Sequence, residues 1–123
     1  MVRVGQIRRC VILTVIGLFV VFVGYDYYTY HSRYHAAISV AVTHGARVGA
    51  LLDWPLGREC NIAFDRPIDR AVIEELAVLN SLTSRHWVEI AFNCDISDDD
   101  LQFARDTLPE CVVFRVEDSD LQP

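Results

Sequence analysis

The stretch Ile90-Ala-Phe-Asn-Cys-Asp-Ile-Ser-Asp-Asp-Asp-Leu101 decides the fold, because an earlier stretch, Ile62-Ala-Phe-Asp-Arg-Pro-Ile-Asp-Arg-Ala-Val-Ile73, repeats its apolar pattern. Five matching positions of the two stretches are 28 residues apart. A period in the twenties is typical of stacked strand-plus-helix units. The sequence therefore predicts two such units side by side.

Each stretch predicts a strand, a turn and a helix, in that order. Val88, Ile90 and Phe92 alternate with the residues between them, which is the period of a half-buried strand. Ser97 and Asp100 form a capping box at the start of the second helix. The apolar sides of the predicted helices are Ile73, Leu76, Leu79 and Leu82 in the first, and Leu101, Ala104 and Leu108 in the second.

These motifs resemble a leucine-rich repeat. The run Leu76-x-x-Leu79-x-x-Leu82, then Val88-x-Ile90-x-x-Asn93-x-x-Ile96-Ser97-Asp98-x-x-Leu101, is similar to the subtype L-x-x-L-x-L-x-x-(N/C)-x-x-I-T-D-x-G-L. Leu108-Pro109-Glu110-Cys111 is similar to the close of short, membrane-anchored bacterial members of that family. The resemblance implies an α/β fold. Its strands would be parallel, around 47–54, 60–64, 87–92 and 111–116, with helices between the last three.

The family resemblance also implies a function. It predicts a scaffold or protein-interaction module without catalytic activity and without a cofactor. The strand alternation and the habit of the family together place the binding residues on the outward side of the strands. These residues are Asn61, Ala63, Glu89 and Ala91.

The N-terminal segment predicts a membrane anchor. Arg3, Arg8 and Arg9 precede an uncharged run of sixteen residues, Cys10–Tyr25. That run is only about 24 Å of helix, but counting on to Tyr30 gives about 31 Å, enough for a bilayer core of roughly 30 Å. Residues 25–30 contain four tyrosines, which are typical of the membrane interface. We therefore expect residues 10–30 to lie in the lipid bilayer, giving an anchor over 1–30 and a domain over 31–123.

Two other interpretations of this segment stay open, a cleaved signal peptide and a buried core helix. No small-x-small cleavage site follows Val23 closely, which argues against the first. The arginines and the tyrosine belt argue against the second. Because the arginines precede the span, the positive-inside rule places the N-terminus in the cytoplasm and residues 31–123 outside it, as a single-pass protein.

The charge of the exported part argues against two classes of partner. All eleven basic residues are arginine, and residues 31–123 contain eight arginines and sixteen acids, a net charge of 8 − 16 = −8. Such a surface repels polyanions, so we expect neither nucleic acid nor an anionic membrane surface as a partner.

Metal binding is the main alternative function, as a divalent-metal sensor or an enzyme accessory subunit. Asp95, Ser97, Asp99 and Asp106 fall at positions 1, 3, 5 and 12 of a calcium loop, but Asp100 replaces the glycine of position 6. His31 and His35 have the i, i+4 spacing of metal ligands on a helix, without a third ligand. We therefore predict no metal site. A degenerate remnant of a longer repeat protein is a further alternative.

The last strand pattern, Val112–Val116, predicts a sheet edge, with Glu117, Asp118 and Asp120 just beyond it. An exposed edge pairs readily with another chain, so we expect self-association or a protein partner there, with Val113 in the contact. Cys60, Val88 and Cys111 each precede a strand core by two residues and should form one inward column. Neither a C-x-x-C nor a G-x-S-x-G motif occurs, so the sequence predicts no enzyme.

Overall fold

The computed structural model describes residues 3–116, so the acidic residues Glu117, Asp118 and Asp120 lie outside the described residues. The chain divides into two compact units, Met1–Ser32 and Arg33–Pro123. Helix α1, Val4–Thr43, begins in the first unit and ends in the second.

The first unit consists of the apolar part of α1. Its large side chains are exposed, for example Leu13, Phe19 and Phe22 at 66–67%. Among residues 3–116, α1 is the one helix that is long and apolar enough to cross a membrane. By its length and composition, such a helix near the N-terminus is compatible with a membrane anchor or a signal sequence.

The second unit is a small α/β domain. After the end of α1 come strand β1 (Arg47–Leu51), strand β2 (Glu59–Phe64), helix α2 (Arg70–Glu75), a 3₁₀ helix (Leu76–Leu82), strand β3 (Trp87–Phe92), helix α3 (Asp98–Thr107) and strand β4 (Val112–Arg115). Both α-helices start where the sequence predicts. The Asp69 carboxylate accepts from the Val72 N–H at 3.0 Å, and the Ser97 hydroxyl oxygen accepts from the Asp100 N–H at 3.1 Å.

The four strands form one mixed sheet in the order β1-β2-β3-β4. The β2–β3 and β3–β4 pairs are parallel as predicted, but β1 is antiparallel to β2, so the prediction of a fully parallel sheet was wrong. The physical reason is the connection from Leu52 to Arg58. These seven residues can reverse the chain, whereas a parallel crossover needs a dozen or more. β1 also ends at Leu51 and does not reach Trp54, because Leu52 has a φ of 69° and leaves the strand conformation.

Residues that are 28 positions apart in the sequence pair with each other across strands β2 and β3. Ile62 pairs with Ile90 and Phe64 with Phe92, and every other pair of β2 and β3 has the same offset. The two phenylalanine rings stack with centroids 5.7 Å apart. Equivalent residues of the two stretches therefore touch, which is why the sequence repeats their size and polarity.

One face of the sheet carries the core. Cys60, Ile62, Phe64, Val88, Ile90, Phe92 and Val113 point to it and are buried. The predicted apolar sides of the helices cover this face: Ile73, Leu76, Leu79, Leu82, Leu101, Ala104 and Leu108 are all buried. Tyr34, Ala37, Ile38 and Ala41 of α1 join the same cluster. Since all these helical residues lie on one side, the opposite face of the sheet is left for other contacts.

Candidate interaction surface

The outward side of the sheet brings the predicted binding residues together. Asn61 pairs with Glu89, and Ala63 pairs with Ala91, so the four side chains form a block two residues wide and two strands across. Asn61 is exposed, and the other three are partly exposed. We call this outward side of β1–β4 the open face, because no helix among residues 3–116 buries it.

The open face extends beyond the four predicted residues onto both neighbouring strands. Ala63 and Ala91 continue the row from Arg47 on β1 to Phe114 on β4. Asn61 and Glu89 continue the row from Gly49 to Val112. Phe114 and Val112 are 36% and 39% exposed. Sequence reasoning did not assign Val112, Phe114 or the exposed Trp87 to this side. Strand pairing assigns them, since Val112 pairs with Glu89, Phe114 with Ala91 and Trp87 with Glu59.

Val113, the fifth residue predicted to contact a partner, does not lie on the open face. Its Cα pairs with that of Ile90, and its side chain is 7% exposed, in the core. The outward positions of β4 are its two neighbours, Val112 and Phe114. The contact predicted for Val113 is through the edge of β4, and it stays a prediction. Its carbonyl oxygen accepts a hydrogen bond from the Arg105 Nε at 3.1 Å.

Polar side chains organise the two ends of the open face. Arg47 donates from Nε and Nη2 to the Asp65 carboxylate at 2.6 and 2.9 Å, and the Asn93 amide donates to the same carboxylate at 3.4 Å. These hydrogen bonds hold the pKa of Asp65 below its ordinary value. At the other end the Trp87 indole N–H donates to Glu89 at 3.2 Å. The small residues Ala63 and Ala91 of the open face therefore lie between two polar ends. One end has the Arg47–Asp65 ion pair, and the other has Trp87 hydrogen-bonded to Glu89.

A hollow of about 260 Å³ lies beyond the carboxyl end of β2. Its lining consists of His44, Gly45, Phe64, Asp65 and Arg66. His44 lies 2.6 Å from the Glu75 carboxylate, and Asp65 is held by Arg47. Two of its ionisable groups are thus engaged by the protein itself.

Two of the four residues at calcium-loop positions have other partners. Ser97 caps α3, and Asp106 accepts from the Gln102 amide at 2.9 Å. Two neighbouring acids are also paired, since Asp98 accepts from Arg115 at 3.0 Å and Asp100 accepts from Arg70 at 2.8 Å. The His35 ring lies 5.9 Å from that of Tyr34, edge to face. In the part of the chain that the structure describes, no group of three or more His, Cys, Asp or Glu residues is placed to hold a metal ion.

A second polar cluster, which sequence reasoning missed, lies where the second unit begins. The Arg58 guanidinium carbon is 4.2 Å from the centre of the Tyr34 ring, and Arg58 also pairs with Asp53 at 2.7 Å. The Tyr34 ring is 5.5 Å from that of His86, which is only 7% exposed. Burial and a hydrogen bond with Cys60 raise the pKa of Tyr34 to about 12.

This cluster contains a thiol and an imidazole but lacks the properties of a nucleophilic site. Cys60 is fully buried, and burial raises the pKa of its thiol. Burial together with the charges of Arg58 and Arg85 lowers the pKa of His86. A catalytic thiol needs a lowered pKa and access to substrate. The cluster therefore acts as a packed junction of α1, the β1–β2 loop and the start of β3.

Comparisons of the chain with protein-family models, with curated proteins and with solved structures find no match. The resemblance to leucine-rich repeats rests on the motifs of the chain itself.

Proposed function

We propose that the protein is a membrane-tethered, non-catalytic interaction module of the leucine-rich-repeat type. The observation that carries the proposal is the block of Asn61, Ala63, Glu89 and Ala91 on the open face. Four residues chosen from two separate stretches lie side by side on a sheet surface without a covering helix. Such a surface is available to a partner and has no reactive group.

The composition of the open face suits a protein partner. Val112 and Phe114 expose apolar and aromatic area beside the small residues Ala63 and Ala91. Aromatic residues are enriched in protein–protein interfaces. Glu89 adds one carboxylate, which favours a partner that presents a basic group beside an apolar one.

The proposal includes the membrane tether and its direction. Residues 10–30 cross the bilayer, and Arg3, Arg8 and Arg9 hold the N-terminus in the cytoplasm. Residues 31–123 then lie outside the cytoplasm. Tethering raises the local concentration of the domain at the membrane, so that a weak contact of the open face suffices for function.

Strand β4 offers a second route to a partner. It lies at the end of the sheet order, where a second copy or a longer repeat protein could add a strand. The Arg105 Nε already donates a hydrogen bond to the Val113 carbonyl oxygen, so this acceptor is engaged within the domain. The open face is therefore the principal surface in the proposal, and the edge is a subsidiary one.

Site-specific photocrosslinking in native membranes tests the function. A photoreactive phenylalanine analogue replaces Asn61 or Phe114 on the open face, and Gln102, an exposed residue of α3, in the control. We expect discrete adducts from the two face positions, and their loss when Ala91→Arg is added to the same chain. An adduct of twice the chain mass would identify a second copy as the partner.

Two outcomes contradict the proposal. One is a set of adducts that is the same for the Gln102 position as for the face positions. The other is an adduct pattern that Ala91→Arg leaves unchanged, because a partner seated on the open face cannot tolerate a long charged side chain at its centre.

A further inference from the structure

A group of exposed apolar side chains lies at one end of the second unit. Leu51 and Trp87 both pair with Glu59, one on each side, so they share a row of the outward face about 10 Å apart. The loop after β1 adds Leu52 and Leu56. All four are 57–61% exposed. We call Leu51, Leu52, Leu56 and Trp87 the apolar end patch.

The chain enters the second unit at this same end. Tyr34, the second residue of the unit, contacts Arg58 of the β1–β2 loop and His86, the residue before β3. The opposite end of the unit contains Asp65, Asn93 and the first residues of α3. The patch therefore lies at the end of the domain from which the N-terminal segment departs.

Chain length limits how far this end can be from the bilayer. Tyr34 is four positions after Tyr30, the last tyrosine of the belt. Four residues span at most about 14 Å even when fully extended. Whatever the orientation of the units, a membrane-embedded belt keeps Tyr34, and the loop in contact with it, within reach of the lipid headgroups.

The backbone of the loop supports a role for its leucines. Leu52 has a φ of 69°, in the left-handed region that glycine and asparagine tolerate better. Its side chain is 58% exposed and contributes little to the core. A leucine that costs backbone strain without filling the interior is expected where a contact outside the domain uses it.

Charges of both signs lie near the patch. Arg58 pairs with Asp53 at 2.7 Å, and Arg85 donates to the Pro55 carbonyl oxygen at 3.0 Å. Glu59 pairs with Trp87, and Glu89 accepts a hydrogen bond from the Trp87 indole. The acidic residues Asp98, Asp99 and Asp100 are in the first turn of α3, at the other end, so this part of the negative charge of the domain is away from the patch.

We propose that the apolar end patch docks into the interface of the bilayer that holds the anchor, with Leu51, Leu52 and Leu56 inserted among the lipids and Trp87 at headgroup level. Leucine and tryptophan are the residue types that such interfaces favour. Docking at this end fixes the orientation of the open face relative to the membrane. The inference rests on the membrane tether of the proposed function.

Tryptophan fluorescence of the full chain in lipid vesicles tests the docking. The protein contains two tryptophans, Trp54 in the loop and Trp87 in the patch, so Trp54→Phe leaves Trp87 as the single reporter. The matched control carries Trp54→Phe, Trp87→Phe and Phe114→Trp, which moves the reporter four residues along the sheet, about 13 Å. The vesicles contain phosphatidylcholine and phosphatidylglycerol, with a spin label on the headgroup or on shallow acyl carbons.

We expect lipid labels to quench Trp87 and its emission maximum to be blue-shifted. The reporter at position 114 should instead be quenched by acrylamide from the aqueous side. Leu52→Asn and Leu56→Ser should each reduce the lipid quenching of Trp87. Leu52→Asn should not lower the stability of the domain, because asparagine tolerates a positive φ better than leucine. A loss of lipid quenching in this variant therefore reports lost docking and not unfolding.

Flotation of the same vesicles separates failure of this inference from failure of the tether. If the protein floats with the vesicles but Trp87 stays exposed to water, the docking proposal is wrong and the membrane tether stands. A protein that does not float overturns the tether, and the docking with it. A Trp87 that is shielded from acrylamide but not quenched by any lipid label also overturns the docking, because a protein then covers the patch.

Discussion

The backbone N–H of Arg58 donates a 3.0 Å hydrogen bond to Nδ1 of His86. An imidazole nitrogen that accepts this hydrogen bond is unprotonated, so the folded domain requires neutral His86. Tyr34, Arg58 and Arg85 face the ring, and none of them stabilises a positive charge on it. The hydrogen bond joins the β1–β2 loop to the start of β3.

Stability should therefore depend on pH through His86. Its pKa in the folded state lies below the ordinary value of 6.5, so protonation favours the unfolded chain. The contribution of His86 is complete above pH 6.5 and is lost as the pH falls from there towards the lower folded pKa. Denaturant unfolding of the full chain in detergent, followed by tryptophan emission at several pH values, measures this loss.

His86→Asn is the matched variant for that experiment. Its side-chain oxygen can occupy the position of Nδ1 and still accept from Arg58, but it does not titrate. We expect the variant to lose the acid-dependent part of the curve that belongs to His86, while the rest of the curve is the same for both proteins. Identical curves for the two proteins would contradict the assignment.

Gly57 should tolerate no side chain. A Cβ at this position would meet the Arg85 carbonyl oxygen at 1.8 Å, and this backbone atom cannot move aside as a flexible side chain does. We expect Gly57→Ala to lower the free energy of unfolding by about 1–3 kcal/mol, as overpacking does. Gly49→Ala is the control, because no atom lies within 4 Å of its added Cβ. A shift of the denaturation midpoint of the same size in both variants would show that Gly57 is not specially constrained.

The stacked pair Phe64–Phe92 should dominate the stability of the domain. Phe92 is fully buried, and its truncation leaves a cavity, so Phe92→Ala should cost about 3–5 kcal/mol. Phe114→Ala on the open face removes the same atoms from a residue that is 36% exposed, and should cost less than about 1 kcal/mol. Urea titration of both variants checks the difference. Equal losses would mean that Phe114, too, is buried in the protein.

Cys60 and Cys111 should remain thiols. The register places Val88 between them, so their Cα atoms are two strand spacings apart, about 10 Å, beyond the roughly 7 Å limit of a disulfide. Burial raises the pKa of both thiols, that of Cys111 to about 11. Iodoacetamide at pH 8 should therefore modify them slowly in the native protein and fully in denaturant. A Cys60–Cys111 bridge in a non-reducing peptide map would contradict the strand order.

The N-terminal segment should be retained in the mature protein. No small-x-small cleavage site follows Val23 closely, since Ser39-Val40-Ala41 is too distant from the apolar run. Edman sequencing or mass spectrometry of the membrane-extracted protein should find the start of the chain upstream of the apolar run. A mature chain that begins between residues 24 and 45 would show that the segment is a signal peptide.

The sequence predicted the parts of the fold that depend on local pattern. The spacing between Ile62 and Ile90 became a strand register, because residues 28 positions apart lie side by side on β2 and β3. The caps Asp69 and Ser97 mark where α2 and α3 begin, because a side-chain acceptor there satisfies a backbone N–H. The core sides of the helices followed from their apolar spacing.

The direction of β1 was not predictable from its own residues, because parallel and antiparallel strands have the same apolar alternation. The seven-residue connection decided it, and its length depends on where Leu52 leaves the strand. The junction of Tyr34, Arg58 and His86 was missed for a related reason. Its members come from three elements, and their approach depends on how α1 packs against the sheet.

The prediction of which strand residues face outward was clearest in the middle of the sheet. Alternation along β2 and β3 is clear, so Asn61 and Glu89 were placed on the outward side. Strand β4 has apolar residues at Val112, Val113 and Phe114 in succession, and its alternation is therefore ambiguous. Only the pairing of Val113 with Ile90 shows which of the three faces the core.

The strand order β1-β2-β3-β4 has a kinetic consequence. Each strand pairs with the one before it in the sequence, and no later strand inserts between two earlier ones. During synthesis, the β1–β2 hairpin can close first, and each following strand-plus-helix segment then adds to an edge that already exists. Contacts between sequence neighbours keep loop-closure entropy small and folding fast. The chain can thus fold progressively as it emerges, from its N-terminal end outward, with one growing edge exposed at a time.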